Sequence, residues 1–227
     1  MPEQVEDNQI ERSDWIEAPR VLLAGGSATT RRGLTALLER AEPRFQIVAA
    51  MELTADLPEK AVEIAPDLVV LDTQLPDIAA VLTSRSIRGR LSSTAVVLLT
   101  AQADSRAVAA CAISGAGHVV KSLDGAALAP LLVRSLERQR RLDARIGALV
   151  LHWYATRPAD GASAQARRAT ESAILEQVLN GSTDGEIAFE TGVDSITVRS
   201  EIARLYGTLS EEPAFRLIGR SLMRWLD

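Results

Sequence analysis

Three apolar runs in this chain each end in a polar residue suited to acting on an anion, and no other feature limits the fold as much. Leu68-Val69-Val70-Leu71 ends at Asp72, Ala95-Val96-Val97-Leu98-Leu99 ends at Thr100, and His118-Val119-Val120 ends at Lys121. Short runs rich in β-branched residues and bounded by polar ones read as buried strands. A sheet that gathers functional groups at the carboxyl ends of its strands is a parallel α/β sheet. A further run, Val21-Leu22-Leu23-Ala24, ends instead in Gly25-Gly26. Ala- and Leu-rich stretches with helical spacing separate the runs, so residues 20–140 are expected to form a parallel sheet covered by helices.

Composition narrows the setting. Of 227 residues, 47% are apolar, which is ample for cores. No apolar run approaches the roughly 18 to 20 residues of a membrane span. The N-terminus is acidic rather than basic and then apolar, so no signal peptide and no membrane association are expected. Cys111 is the sole cysteine, which excludes an intrachain disulfide and suits a reducing, cytoplasmic location. Flanked by Ala109, Ala110 and Ala112, it reads as a small core residue. His118 and His152 form no metal-binding pattern with it, and no metal, cofactor or catalytic residue is expected.

Four segments follow from pattern and charge. Residues 1–18 carry six acids against Arg12 with no sustained apolar period, and read as a disordered acidic arm. Residues 19–140 form the α/β domain. Residues 141–165 form a helical extension and linker, the linker being Arg157 to Ser163 by its Pro, Gly and Asp content. Leu142, Ile146, Leu149 and Trp153 are spaced four, three and four, the seam of a short coiled coil or of one amphipathic helix packed on its own domain. Residues 166–227 form a small all-helical domain.

The α/β segment resembles the receiver domain of bacterial two-component response regulators. The resemblance rests on Asp72, Thr100 and Lys121, on Pro76 four residues after Asp72, and on Arg31 to Leu38 as the first helix. It implies a doubly wound, flavodoxin-like fold with five parallel strands. It implies that Asp72 stands at the phosphoacceptor position, with Thr100 and Lys121 as phosphate-site remnants and a histidine kinase as the usual partner. In that register Gly25 and Gly26 replace the acidic pair that holds Mg²⁺. Mg²⁺ needs near-octahedral oxygen ligands, and Asp72 alone is a poor site. Asp72 is therefore expected not to be phosphorylated, and to survive as an ion pair with Lys121. Metal recruitment through Asp77 or Asp104 is the remaining route to a conventional switch. His118 stands at the family's aromatic switch position.

The C-terminal segment contains the signals of two capped helices. Thr183 with Glu186 forms a capping box, Gly192 supplies a left-handed C-terminal turn, and Asp194 caps the next helix. Val198, Ile202 and Leu205 then share one face. Ser195, Ile196, Thr197, Arg199, Ser200 and Arg204 are the positions expected to meet DNA. Glu176 to Arg199 resembles a NarL/LuxR-type helix-turn-helix, which implies a recognition helix in the major groove. The charge is unusual for that role. From 167 to 227 there are seven arginines and ten acids, a balance of −3, where a DNA-binding domain is expected to be basic.

The expected protein is an atypical, phosphorylation-independent response regulator of the NarL/FixJ layout, not an enzyme. It binds DNA as a homodimer, with the Ala- and Leu-rich regions 101–116 and 123–136 as the dimer surface. The alternatives are a protein-interaction regulator that binds a kinase or another regulator and never DNA, and a conventional phosphorylated regulator.

Overall fold

The apolar runs do form strands, and those of β1, β3 and β4 are buried on both faces. The structure, a computed structural model, describes residues 18–73, 76–102, 104–120, 125–138, 144–158 and 161–212. Strands β1 (Arg20–Gly25), β2 (Gln46–Met51), β3 (Leu68–Asp72), β4 (Ala95–Thr100) and β5 (Gly117–Val120) form one parallel sheet in the order β2-β1-β3-β4-β5. The helices between them are α1 (Ala28–Glu39), α2 (Leu57–Ile64), α3 (Ile78–Arg90) and α4 (Ser105–Ser114), and α5 (Gly125–Arg138) follows β5. This is the doubly wound arrangement expected from the sequence.

Alternation along the strands splits the core in two. Val21, Leu23, Val70, Val97 and Leu99 point to α1 and α5, where Leu34, Leu38, Leu128 and Leu132 meet them. Leu22, Val69, Leu71, Val96 and Leu98 point the other way, towards α2, α3 and α4. That second core does not stop at the domain boundary. It continues through α4 into the C-terminal helices and takes in Ile174, Leu175, Val178, Ile187, Val198, Ile202, Leu205, Tyr206 and Leu209.

The C-terminal half consists of α6 (Ala144–Thr156), α7 (Ala162–Leu179), α8 (Asp184–Thr191) and α9 (Ser195–Ser210). Each cap read from the sequence is present. The Thr183 hydroxyl and the Glu186 carboxylate form the capping box at α8, Gly192 closes α8 at φ +68, and Asp194 accepts from the Ile196 and Thr197 amides at α9. α7 starts at Ala162, earlier than the expected boundary at 166.

α4 lies between the sheet and this half, and packs on both α7 and α9. Of its ten residues only Arg106 is exposed. The Ala-rich surface of α4, expected to form a homodimer contact, is thus consumed within the chain. Small side chains let α9 approach closely, and a helix covered on every side but one must be almost wholly uncharged. Cys111 lies in this helix, and burial pushes its thiol up to about 12.

Polar contacts fix the docking. Tyr206 of α9 donates its hydroxyl to the Pro76 carbonyl in the loop after β3. Ser105 Oγ donates to the Ser210 carbonyl at 2.7 Å. A Cβ built on Gly89 of α3 would lie 3.5 Å from Thr183 Cγ2, just before α8. The linker helix α6 buries Val150 and Tyr154; of the expected seam, Leu149 is exposed and Trp153 is half-buried under the Arg157 guanidinium, 4.9 Å from its ring centre. Leu142, the acidic arm up to residue 17 and the Ile146 side chain lie outside the described residues.

The chain has two tyrosines, Tyr154 and Tyr206, and both are buried. Burial pushes each hydroxyl up to about 12. An unfolded tyrosine ionises near pH ~10, so in the window above it the unfolded chain releases protons that the folded one keeps. The stability contributed by the two hydroxyls is therefore complete below that window and falls as pH rises through it to about 12. Urea midpoints followed across this range, alongside tyrosinate absorbance, check the expectation. Tyrosinate forming in the folded chain at the ordinary pH would contradict it.

Candidate functional site

The carboxyl edge of the sheet brings Asp72 and Gly25 side by side, since the two are partners in the β1–β3 ladder. Asp72 is buried, at 6% exposure. Gly25 and Gly26 adopt φ +92 and +62, conformations that L side chains rarely enter. A Cβ on Gly26 would collide with Asp72 Oδ2 and lie 3.2 Å from its Cγ. A Cβ on Gly25 would collide with the Asp72 carbonyl oxygen. The glycine pair is thus what lets the Asp72 carboxylate lie against the β1–α1 turn, in the space that acidic side chains would need.

A cation already sits on that turn. Arg31, on the first turns of α1, donates from Nη1 to the carbonyls of Gly25 at 3.2 Å and Gly26 at 2.7 Å. Its Nη2 approaches Glu52 Oε1 at 3.7 Å. Sequence reasoning used Arg31 only to set the register and missed this role. Thr100 is fully buried and its hydroxyl donates to the Gln102 carbonyl at 2.9 Å. Lys121 and the His118 side chain lie outside the described residues. The two spare carboxylates are committed elsewhere: Asp77 caps α3 through the Ala80 amide at 2.8 Å, and Asp104 caps α4 through the Ala107 amide at 2.9 Å. Among the described residues no three His, Cys, Asp or Glu side chains are grouped to hold a metal.

The second cluster is the helix-turn-helix. α9 turns Val198, Ile202, Leu205 and Leu209 inward, and presents Ser195, Ile196, Thr197, Arg199 and Ser200 to solvent. The docked α/β domain leaves that strip open. Ile196 is 79% exposed, and Phe189 on α8 is 90% exposed.

The two arginines of α9 are both ion-paired. Arg204 meets Glu201 and the buried Glu171 of α7, whose other oxygen accepts from the Tyr154 hydroxyl. Arg199 Nε lies 3.3 Å from Asp184 Oδ2. Asp184 is shared, since its Oδ1 accepts from Arg85 Nε at 2.7 Å. Arg85, on α3, also donates to the carbonyls of Ile113 and Ser182. Apart from Arg204 with Glu201, these partnerships span from 15 to 99 residues of sequence, and they were not foreseen. An arginine inside the apolar face of α3 was the available signal for Arg85, because such a residue needs a partner.

Residues 21–132 match the response regulator receiver domain family. This part of the chain is a receiver domain. Similarity to named regulators extends over most of the chain. The DNA-binding transcriptional activator DevR/DosR of Mycobacterium tuberculosis is 28% identical over 199 residues, covering 85% of this chain and 89% of that protein. The transcriptional regulatory protein LiaR of Bacillus subtilis is 24% identical over 191 residues, covering 84% and 90%. A LuxR-family two-component response regulator from Aurantimonas sp. SI85-9A1, solved by crystallography, is 26% identical over 58% of this chain and 94% of its own, with a TM-score of 0.48. The chain thus places a receiver domain before a helix-turn-helix, and is similar over most of its length to proteins named as transcriptional regulators.

The receiver edge yields a stability test. Gly26→Ala places a Cβ against Asp72 at a left-handed position, and is expected to cost about 1 to 3 kcal/mol. In an Asp72→Ala background the collision is gone and only the backbone strain remains, so the cost should shrink. A double-mutant cycle by chemical denaturation reads the difference. Strictly additive effects would mean that the two positions do not touch.

Proposed function

We infer that this chain is a DNA-binding transcriptional regulator whose receiver works without phosphoryl transfer. The observation that carries the reading is the packing of the Asp72 carboxylate on Gly26, beneath a turn whose carbonyls Arg31 already holds. Charge developing on a transferring phosphoryl group is ordinarily met by a bound Mg²⁺. Here the turn offers no carboxylate to such an ion, and Asp77 and Asp104 are spent on helix caps. The helix-turn-helix supports the DNA half of the reading, through the open strip on α9 and through relatives named as transcriptional regulators. Two recognition helices on two half-sites raise affinity, so the active form is a homodimer. With the α4 surface occupied, α6 and its exposed Leu149 are the better place for that contact. The chain acts in the cytoplasm and needs no cofactor. Among the described residues no helix is long and apolar enough to cross a membrane.

A second reading, a protein-interaction module that never touches DNA, is favoured by one set of observations. Phe189 and Ile196 are exposed on the helix-turn-helix, and between Thr183 and Glu212 seven acids face two arginines, both already paired.

Two measurements separate these possibilities. Incubation with acetyl phosphate and Mg²⁺ should leave the intact mass unchanged; a phosphoryl adduct that disappears in Asp72→Asn would overturn the phosphate-independent reading. Fluorescence anisotropy with duplexes tiling the chain's own upstream region should show binding that Arg199→Ala weakens by about 1 to 3 kcal/mol at the specific site. Arg204→Ala should differ in kind, lowering thermal stability because it strands the buried Glu171 carboxylate. Binding to none of these duplexes nor to random duplex at low salt would transfer the function to the protein-interaction reading.

A further inference from the structure

One carboxylate joins the receiver to the recognition helix. Asp184, the first residue of α8, gives one oxygen to Arg85 of the receiver at 2.7 Å and the other to Arg199 of α9 at 3.3 Å. The two contacts are unequal. The Arg85 side chain is 5% exposed, and its remaining nitrogens are held by the Ile113 and Ser182 carbonyls at 2.8 and 2.9 Å. The Arg199 side chain is 58% exposed, and its contact is long. A short, buried, bonded pair persists, whereas an exposed pair contributes little and is screened by salt. The charge of Asp184 is therefore met from beneath by the receiver, and Arg199 is held only loosely from above.

We propose that Arg85 is a positioning residue for DNA recognition: the docked receiver neutralises Asp184 under the recognition strip, and so lets Arg199 exchange that carboxylate for a base edge. The inference rests on the DNA-binding reading above and gives the receiver a definite sign within it. Without Arg85, Asp184 would have Arg199 as its remaining arginine and would hold it more firmly. It would also bring an uncompensated negative charge close to a polyanion. The receiver contact thus supports binding, in keeping with a strip that stays exposed while the receiver is docked. In a module with so few basic side chains, one buried guanidinium from the neighbouring domain carries unusual weight.

The test uses the full chain, with anisotropy titrations on labelled duplexes tiling its own upstream region at several salt concentrations. Arg85→Met should weaken binding by about tenfold, the scale of one interaction lost or one charge exposed. Adding Asp184→Asn to Arg85→Met should recover most of that loss, because the carboxylate that captures Arg199 is then gone. Arg85→Gln, which keeps a hydrogen-bonding group but no charge, stands in if Arg85→Met does not fold. Tighter binding by the Arg85 variants would overturn the proposal and make the contact a brake. A double variant as weak as the single one would overturn it too, leaving Arg85 a purely structural residue. Failure of the wild type to bind any duplex would instead remove the DNA reading, and this proposal with it.

Discussion

The docking of the C-terminal half depends on one helix, α4, being covered on two opposite sides. α4 lies under the sheet's apolar face on one side and under α7 and α9 on the other, so it belongs to two cores at once. Its residues are small because both neighbours must come near. Alanines at 107, 109, 110 and 112 bring the helix axes close, and Val108 and Ile113 fill the remaining space. Packing of this kind tolerates little change in volume. The contiguous apolar core then makes the receiver and the helix-turn-helix one structural unit, with hydrogen bonds at Tyr206, Ser105 and Arg85 setting its register.

That arrangement brings the Asp72 edge of the sheet and α9 into direct contact. The Pro76 carbonyl, four residues beyond Asp72, accepts from Tyr206 in the C-terminal turns of α9. Ser105, five residues beyond Thr100, donates to the last residue of the same helix. The loops that follow β3 and β4 at the carboxyl edge are therefore the segments that hold α9. The Gly25-Gly26 turn packs on Asp72 at the same edge, so turn, carboxylate and α9 are linked through one short stretch of structure.

Much of this was legible in the sequence. Strand runs with charged or hydroxyl ends, and caps at Thr183, Gly192 and Asp194, are local signals that read directly. The glycines at 25 and 26 were read as a loss of ligands; that they also make room for the Asp72 carboxylate depends on the β1–β3 pairing, which brings them beside it. The fate of α4 was misread because an apolar helix surface looks the same whether its partner is another copy or a later part of the same chain. The absence of any charge but Arg106 between Ser105 and Ser114 was the clue that both sides would be covered. Arg204 was placed among the DNA-facing positions from its place on the helix, and its engagement with Glu171 was invisible because tertiary ion pairs leave no periodic trace. The same holds for Arg85 and Asp184, 99 residues apart.

The lone cysteine gains a use from its position. Cys111 lies within the helix shared by both cores, 6% exposed, its thiol kept protonated by burial. A thiol in that state is shielded from alkylating reagents until the helix is uncovered. Its modification rate therefore records how often the two halves part company, and when reclosing is fast relative to the reagent, it reports the equilibrium free energy of that opening. The chain thus carries its own clock for domain separation, with no label introduced and no residue replaced.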